Sequence, residues 1–120
     1  MKRVFHFQVP SHPQPKERPR RGRGRRFYTP CRTRTYEELI KVTFCSLYDM
    51  LDDADSEWFL SINIYARGHV GDIDNIAKSV MDGLETVIYH NDRQVIQLNV
   101  NLHRVTKHEK EYIVIHAKEV

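Results

Sequence analysis

Residues 57–82 read EWFLSINIYARGHVGDIDNIAKSVMD, and a change of periodicity inside this stretch decides the fold. Up to Ala66, large apolar residues occupy every second position, which is typical of a strand with one buried face. The residues expected on that face are Trp58, Leu60, Ile62 and Ile64. From Asp74 onward the apolar residues instead recur at helical spacing. The stretch therefore predicts a strand over residues 57–66 followed directly by an amphipathic helix.

The predicted helix separates its polar residues from its apolar ones. At about 100° per residue, Asp74, Lys78 and Asp82 form one polar stripe, in which each side chain is about 5–6 Å from the next. Asp72 comes just before the helix, where a carboxylate can cap free backbone N–H groups. One interpretation is therefore purely structural: Asp72 is a cap, and the stripe is an ordinary ladder of i, i+4 charge pairs.

The placement of three acidic residues favours a second interpretation, a divalent-metal site. Asp72 and Asp74 lie where a strand passes into a helix, and Asp92 lies just before another predicted strand. We expect turns at strand ends to bring these carboxylates together at one edge of the sheet. Mg²⁺ prefers such oxygen ligands and keeps waters for exchange with substrate. Lys78, one helical turn from Asp74, would neutralise charge that develops on a phosphate.

The other periodic segments complete the prediction of an α+β fold. Residues 3–9, 95–102 and 111–118 alternate apolar and polar residues and are expected to be strands, with a turn at residues 107–110. Apolar residues at three- and four-residue spacing predict a long helix from about Thr33 to Leu51. We therefore expect a single domain over residues 1–120, in which two main helices pack on one face of a mixed, mostly antiparallel sheet.

The charge of the chain is unevenly distributed. Residues 16–34 hold nine Lys or Arg and one acid, a segment charge of +8, whereas the remaining residues carry 10 basic and 15 acidic side chains, or −5. This segment, here called the basic arm, is too polar to bury much surface and is expected to be a loop or partly disordered. It is either a solvated loop or a nucleic-acid contact, and Arg clusters favour phosphate binding. Phe27 and Tyr28 would stack on unpaired bases or anchor the arm to the core.

The DNA contacts expected from these charges lie in the arm and directly after the 57–66 strand. They are Lys16, Arg18, Arg20, Arg21, Arg23, Arg25, Arg26 and Arg67.

Several other classes of protein are disfavoured. No run of about 18 apolar residues exists, so no membrane span or membrane partner is expected. The N-terminal residues lack a signal-peptide pattern, and the two cysteines, Cys31 and Cys45, are interpreted as reduced thiols of a cytoplasmic protein. His69 and His90 flank the acidic blocks without metal-ligand spacing, and we interpret them as polar loop residues.

Two blocks of the sequence together resemble one family. GDIDNIAKSVMDGL at residues 71–84, followed by YHNDRQV at residues 89–95, resembles the RusA family of Holliday junction resolvases, and the segments PQPKERPR and YTP extend the likeness. The resemblance implies a Mg²⁺-dependent endonuclease of bacteria or their phages, with Mn²⁺ as a possible substitute. It also implies a homodimer that binds branched DNA and nicks two strands of like polarity symmetrically, in recombination and repair.

The family motifs assign roles to individual residues. The resemblance implies that Asp72, Asp74 and Asp92 bind the metal and that Lys78 is the catalytic lysine. Asn75 and Asp82 match further motif positions and are expected to support the site.

Two departures from the family pattern concern the surroundings of the site. Val70 and Gly71 stand where some members have basic residues, and Asn91 stands where some have an acid.

Two rival functions remain. One is a nuclease with a broader preference for flaps or branched DNA, and the other is a non-catalytic DNA-binding module that would show no Mg²⁺-dependent nicking.

Overall fold

The strand-to-helix change predicted for residues 57–82 is confirmed in the computed structural model, which describes residues 2–16, 20–21, 27–28 and 31–120. In chain order the elements are β1 (Val4–Val9), β2 (Arg20–Arg21), β3 (Phe27–Tyr28), α1 (Cys31–Leu47), β4 (Trp58–Ala66), α2 (Ile73–Leu84), β5 (Val95–Arg104) and β6 (Tyr112–Glu119). A short 3-10 helix, Asp92–Gln94, precedes β5.

The main sheet has four strands in the order β1-β6-β4-β5. β6 pairs antiparallel with both β1 and β4, whereas β4 and β5 are parallel. α2 is the connection between these two parallel strands, as a parallel pair requires. The sheet is therefore mixed and mostly antiparallel, and the predicted α+β class with two main helices is confirmed.

The core lies between the helices and one face of the sheet. The alternating residues of β4, from Trp58 to Ala66, are fully buried on that face. α1 contributes Ile40 and Phe44 to the core, and α2 contributes Ile76, Val80 and Leu84. The opposite face of the sheet has no helix packed on it among the described residues. β5 lies at the edge of the sheet, where the helices give less cover, and its residues Ile96 and Leu98 are 51% and 41% exposed.

The first helix differs from the prediction at both ends. α1 begins at Cys31 and ends at Leu47, whereas the apolar spacing predicted about Thr33 to Leu51. Leu47 and Met50, which belong to that apolar spacing, are exposed. Beyond the end of the helix, the backbone N–H of Leu51 donates to the carbonyl of Val87 at 2.8 Å, and the segment runs alongside the residues that follow α2.

α2 differs from the predicted helical wheel at Ser79, and its first residue, the apolar Ile73, is 44% exposed. Ser79 falls on the predicted polar side but is fully buried. Gly83, one turn further along, approaches α1 so closely that a Cβ there would lie 3.1 Å from the Ile40 side chain. Small residues at these two positions let α1 and α2 pack closely, so the buried arc of α2 is centred nearer to the polar stripe than the wheel predicted.

Part of the basic arm is paired rather than irregular. β2 and β3 form a two-stranded antiparallel sheet with Arg20 opposite Tyr28 and Arg21 opposite Phe27. The rest of the arm was predicted to be a loop or partly disordered. Residues 17–19, 22–26 and 29–30, to which that prediction applies, lie outside the described residues. Within the part of the chain that the structure describes, no helix is long and apolar enough to cross a membrane.

Candidate metal and catalytic site

The predicted metal-binding residues divide into two groups at opposite ends of the parallel strand pair. Asp72 and Asp74 follow the C-terminal end of β4, whereas Asp92 precedes the N-terminal end of β5. Parallel strands place these ends far apart, so the expectation that strand ends would bring the three carboxylates to one edge does not hold within this chain. Their role as metal ligands is a separate question and stays a prediction.

The turn before α2 fixes the position of Asp72. Gly71 has φ +82, a conformation that favours glycine, and a Cβ at this position would lie 2.9 Å from Cγ of Pro15. The backbone N–H of Lys16 donates to the carbonyl of Asn75 at 2.8 Å. The chain that leads into the basic arm therefore packs against the first turn of α2, which joins two of the sequence segments that carry the family resemblance.

The carboxylates at the N-terminal end of α2 are uncommitted. Asp72 occupies the N-cap position, and its carbonyl accepts from the N–H groups of Asn75 and Ile76, but its side chain makes no capping hydrogen bond. Asp74 is exposed, and its side chain has no ion pair or hydrogen bond among the described residues. The structural interpretation of these residues as a cap and a ladder partner is therefore not supported.

A cluster of three carboxylates lies at the other end of α2. One carboxylate oxygen from each of Asp82, Glu85 and Asp92 lies within 4.8 Å of the others. Glu85 also accepts a hydrogen bond from the backbone N–H of Asp92 at 3.2 Å. Asp82 had been expected only as a supporting residue, and Glu85 was not assigned a role; its place on the polar stripe of the helix is the signal that the sequence offers.

Two lysines offset part of the negative charge of this cluster. Nζ of Lys78 contacts the carboxylate of Asp92 and lies 3.1 Å from Oδ1 of Asp82, while Nζ of Lys16 lies 3.0 Å from Oδ2 of Asp82 and 2.6 Å from Glu37. Hydrogen bonding to Asp92 raises the pKa of Lys78 above its ordinary value despite partial burial. Burial lowers the pKa of Lys16, but its bonds to Glu37 and Asp82 outweigh that and raise it overall. Both lysines therefore stay charged.

The loop that carries Asp92 is held by the side chain of Gln94. Its Nε2 donates to the carbonyls of Asp53 at 2.6 Å and Ser56 at 2.8 Å. Its Oε1 accepts from the backbone N–H groups of His90 and Asn91, both at 2.9 Å. These four bonds tie residues 90–94 to the loop before β4, so Gln94 has a structural role in placing Asp92.

The C-terminal end of α2 is held by hydrogen bonds from Lys41 of α1 and from Tyr89, which follows α2 in the chain. Nζ of Lys41 donates to the carbonyls of Gly83 at 3.0 Å and Glu85 at 2.5 Å, which satisfies free carbonyls at the helix end. The hydroxyl of the buried Tyr89 donates to the carbonyl of Met81 at 2.7 Å. Burial raises the pKa of Tyr89 well above its ordinary value, and the nearby carboxylates act in the same direction.

Most of the residues that were expected to contact DNA lie outside the described residues or are described by their backbone alone. Arg18, Arg23, Arg25 and Arg26 lie outside the described residues, and only the backbone of Arg20 and Arg21 is described. Lys16 is engaged with Asp82 and Glu37. Arg67 donates to the carbonyls of Thr106 and Glu109 in the turn before β6. For these two residues DNA contact stays a prediction.

Comparison with known proteins gives a family but no close relative. No curated protein matches the chain significantly. A solved structure titled "Crystal structure of HypE-HypF complex" is 14% identical with a TM-score of 0.43, and the alignment covers 99% of this chain but 33% of that one, so this likeness carries no argument. The family profile described as "Endodeoxyribonuclease RusA" matches residues 10–116. That match includes both acidic blocks and most of the fold, and the chain therefore belongs to the RusA endodeoxyribonuclease family.

Proposed function

We propose that this chain is a Mg²⁺-dependent endonuclease that resolves four-way DNA junctions by paired symmetric nicks. The observation that carries the proposal is the pair of exposed carboxylates, Asp72 and Asp74, whose side chains have no structural partner among the described residues. Asp74 lies one helical turn from Lys78. A fold that leaves two carboxylates uncommitted beside a charged lysine has room there for a cation and a phosphate. The family membership supplies the reaction class, cleavage of a DNA strand.

The metal ligands in this proposal are Asp72 and Asp74 at the N-terminal end of α2, together with Asp92, which lies at the other end of α2 and is carried over from its motif position. Their carboxylate oxygens are the donors that Mg²⁺ or Mn²⁺ prefers. A bound ion of this kind supplies an activated water and stabilises the leaving oxygen. The cluster of Asp82, Glu85 and Asp92 is the competing donor set, since its oxygens are already close together. We favour the first set because Asp82 is already paired with two lysines, which fits the supporting role that its motif position implies.

The remaining site residues would bind and orient the phosphate. The ammonium of Lys78 is charged and about half exposed, with a side-chain exposure of 49%, so it can move from Asp92 to a phosphate oxygen. Asn75 is exposed on the first turn of α2 and can donate from its side-chain amide. The oxygen of water attacks phosphorus and the bond from phosphorus to O3′ breaks, which leaves a 5′-phosphate and a 3′-hydroxyl.

A homodimer is part of the proposal, and a groove beside the site suits it. The groove has a volume of about 280 Å³ between α2 and β5 and is lined mainly by apolar side chains, among them Ile73, Met81 and Leu98. Ile73 is 44% exposed, and β5 is an edge strand with unpaired backbone groups on its outer side. A second copy packed here would cover this surface and lie next to Asp74 and Lys78. A cytoplasmic location in a bacterial cell also belongs to the proposal.

The basic arm is proposed as a contact for the DNA backbone. Deleting residues 20–26 should weaken junction binding and flatten its salt dependence, because each lost phosphate contact lowers the log–log slope by about 0.9. Filter binding at several salt concentrations measures this slope. An unchanged slope would mean that the arm makes no phosphate contacts.

A cleavage assay on a panel of substrates tests the function. Synthetic four-way junctions, flaps and linear duplexes are incubated with the protein with and without Mg²⁺, and the nick positions are mapped. We expect symmetric nicks in the junction only when Mg²⁺ is present. Preferred cutting of flaps would support the broader nuclease. Binding without nicking, together with no Mg²⁺-linked rise in Tm, would support the non-catalytic module and overturn the proposal.

A further inference from the structure

The face of the sheet that the helices leave uncovered carries no carboxylate. This surface, here called the open face, consists of the outward-pointing residues at alternate positions within residues 4–8, 59–65, 97–103 and 112–118. No Asp or Glu occurs in any of these ranges, although the chain has 16 acidic residues. Strand pairing places its side chains in rows across all four strands. One such row consists of His6, His116, Ser61 and Asn99.

Strand propensity does not explain the missing acids. Asp and Asn are both depleted in β-strands, since both prefer turns. The open face nevertheless carries three Asn residues and no Asp. Asn63, Asn99 and Asn101 keep the size and hydrogen-bonding capacity of Asp without its charge. Negative charge is therefore what this surface lacks, rather than residues that are unfavourable in strands.

A stack of three rings crosses the open face. The ring of Tyr65 stacks on Tyr112 at 4.6 Å and on His103 at 4.5 Å, with interplanar angles of 12° and 15°. A ring nitrogen of His103 lies 3.0 Å from Oδ1 of Asn63, which fixes the imidazole. Among the described residues, neither phenol hydroxyl has a hydrogen-bond partner, and the same is true of the exposed amides of Asn99 and Asn101. The face thus presents ordered polar groups that have no partner within the fold.

We propose that the open face binds the phosphodiester backbone of a duplex arm of the substrate, an inference that rests on the proposed function. Amide, imidazole and hydroxyl groups are common donors to phosphate oxygens, and a surface without carboxylates does not repel them. A protein partner is a less suitable occupant, because the centre of a stable protein–protein interface is usually apolar. The middle of this face instead has the polar His116, Ser61 and Asn63, with Val114 as the one apolar residue beside them.

The position of the open face determines which part of the substrate it contacts. α2, Lys78 and the groove lie on the helical side of the sheet, and the open face lies on the other side. A duplex bound to the open face is therefore a different arm from the one presented to Lys78. A branched substrate has such a second arm, whereas a short linear duplex does not.

The test adds negative charge without changing side-chain size. The variant Asn99→Asp/Asn101→Asp should bind a four-way junction about five- to tenfold more weakly, because each carboxylate opposes a phosphate. Its affinity for a short linear duplex should change much less. The variant Val42→Glu/Leu47→Glu adds the same charge at exposed positions of α1 and should bind the junction normally. Conversely, Asn101→Lys should tighten junction binding and steepen the log–log salt slope by about 0.9.

Three results would overturn the inference and leave the proposed function standing. If the parent cuts junctions, and if Asn99→Asp/Asn101→Asp and Asn101→Lys both bind them as the parent does, the open face is not a DNA contact. The proposed function would then still stand. Equal weakening by Val42→Glu/Leu47→Glu would reduce the effect to net charge. A changed oligomeric state in light scattering, with DNA affinity unchanged, would assign the face to a second copy. Failure of the parent protein to bind or cut any DNA would instead reject the proposed function, and this inference with it.

Discussion

The two ends of α2 carry the same type of side chain in opposite situations. At the N-terminal end, Asp72 and Asp74 are exposed and have no partner among the described residues. About two turns further along, roughly 12 Å at 1.5 Å per residue, Asp82 is held by two lysines and lies beside Asp92. A carboxylate without a structural partner contributes little to folding and is available for a ligand. The comparison therefore separates carboxylates available for chemistry from carboxylates that hold the site together.

The largest effect is expected from the uncommitted end. Asp74→Asn should lower junction cleavage by more than roughly a thousandfold, since losing a ligand should cost more than the 10- to 100-fold typical of outer-shell partners. Junction binding should persist or improve, because repulsion of phosphate falls. Tm should stay constant, since no bond is lost. Single-turnover cleavage, binding and melting measure the three quantities.

The matched control for Asp74→Asn is Asp49→Asn, which removes an exposed carboxylate after α1. It should cleave as the parent does. If Asp74→Asn retained cleavage, Asp74 would not be a ligand.

Lys78 lies between the two ends, and its replacement should affect chemistry more than stability. Lys78→Met should slow cleavage about a hundredfold, because a charge that stabilises the reacting phosphate is lost. The free energy of unfolding should change by less than about 1 kcal/mol, as is usual for exposed ion pairs. Lys78→Arg should retain more activity than Lys78→Met. Equal loss in both variants would show that the position, rather than its charge, is required.

Replacing Gln94 tests whether its hydrogen bonds stabilise the loop that carries Asp92 at the braced end of α2. Gln94→Ala removes four hydrogen bonds and leaves the partly buried carbonyl of Ser56 without a partner among the described residues, so the free energy of unfolding should fall by about 2 kcal/mol. Urea unfolding measures this loss, and amide hydrogen exchange should become faster around residues 90–94. Gln8→Ala, an exposed glutamine on β1, is the control and should change stability by less than about 0.5 kcal/mol. If the two variants unfolded alike, the loop around Asp92 would not depend on Gln94.

The smallest effect is expected in how folding stability depends on pH, through ion pairs at the loop that Gln94 holds. Arg3 pairs with Asp53 and Glu119. Hydrogen bonds from the Asp55 backbone and Ser56, together with Arg3, lower the pKa of Asp53 to about 2, and hydrogen bonds from Arg3 lower the pKa of Glu119 to about 2. Because both pKa values are lowered in the folded state, this stabilisation is present above the unfolded values near 4 and is lost as the pH falls towards 2.

The variant Arg3→Gln checks this linkage. Its Tm should be a few degrees below that of the parent at pH 7, and the difference should shrink as the pH approaches 2. A difference independent of pH would mean that Arg3 stabilises the fold by packing alone.

Local periodicity was sufficient to predict most elements, but contacts distant in sequence were not predicted. Alternation identified the strands of the main sheet, and helical spacing identified the stripe that contains Lys78 and Asp82. The parallel pairing of β4 and β5, which separates Asp74 from Asp92, depends on the order of strands in the sheet and has no local signature. Gln94 is part of the motif at residues 89–95, but its structural role has no local signature because two of its four bonds reach residues about 40 positions earlier.

We propose that Asp72 and Asp74, at the uncommitted end of α2, bind the metal and that Asp82 and Glu85, at the braced end, do not. Single-turnover junction cleavage in Mg²⁺ by Asp74→Asn and Glu85→Gln, measured side by side, tests it most directly. Glu85→Gln removes one charge from the cluster but keeps an oxygen that can accept from the N–H of Asp92. The account predicts that Asp74→Asn is inactive and that Glu85→Gln cleaves within about tenfold of the parent. An inactive Glu85→Gln beside an active Asp74→Asn would contradict the account and place the metal at Asp82, Glu85 and Asp92.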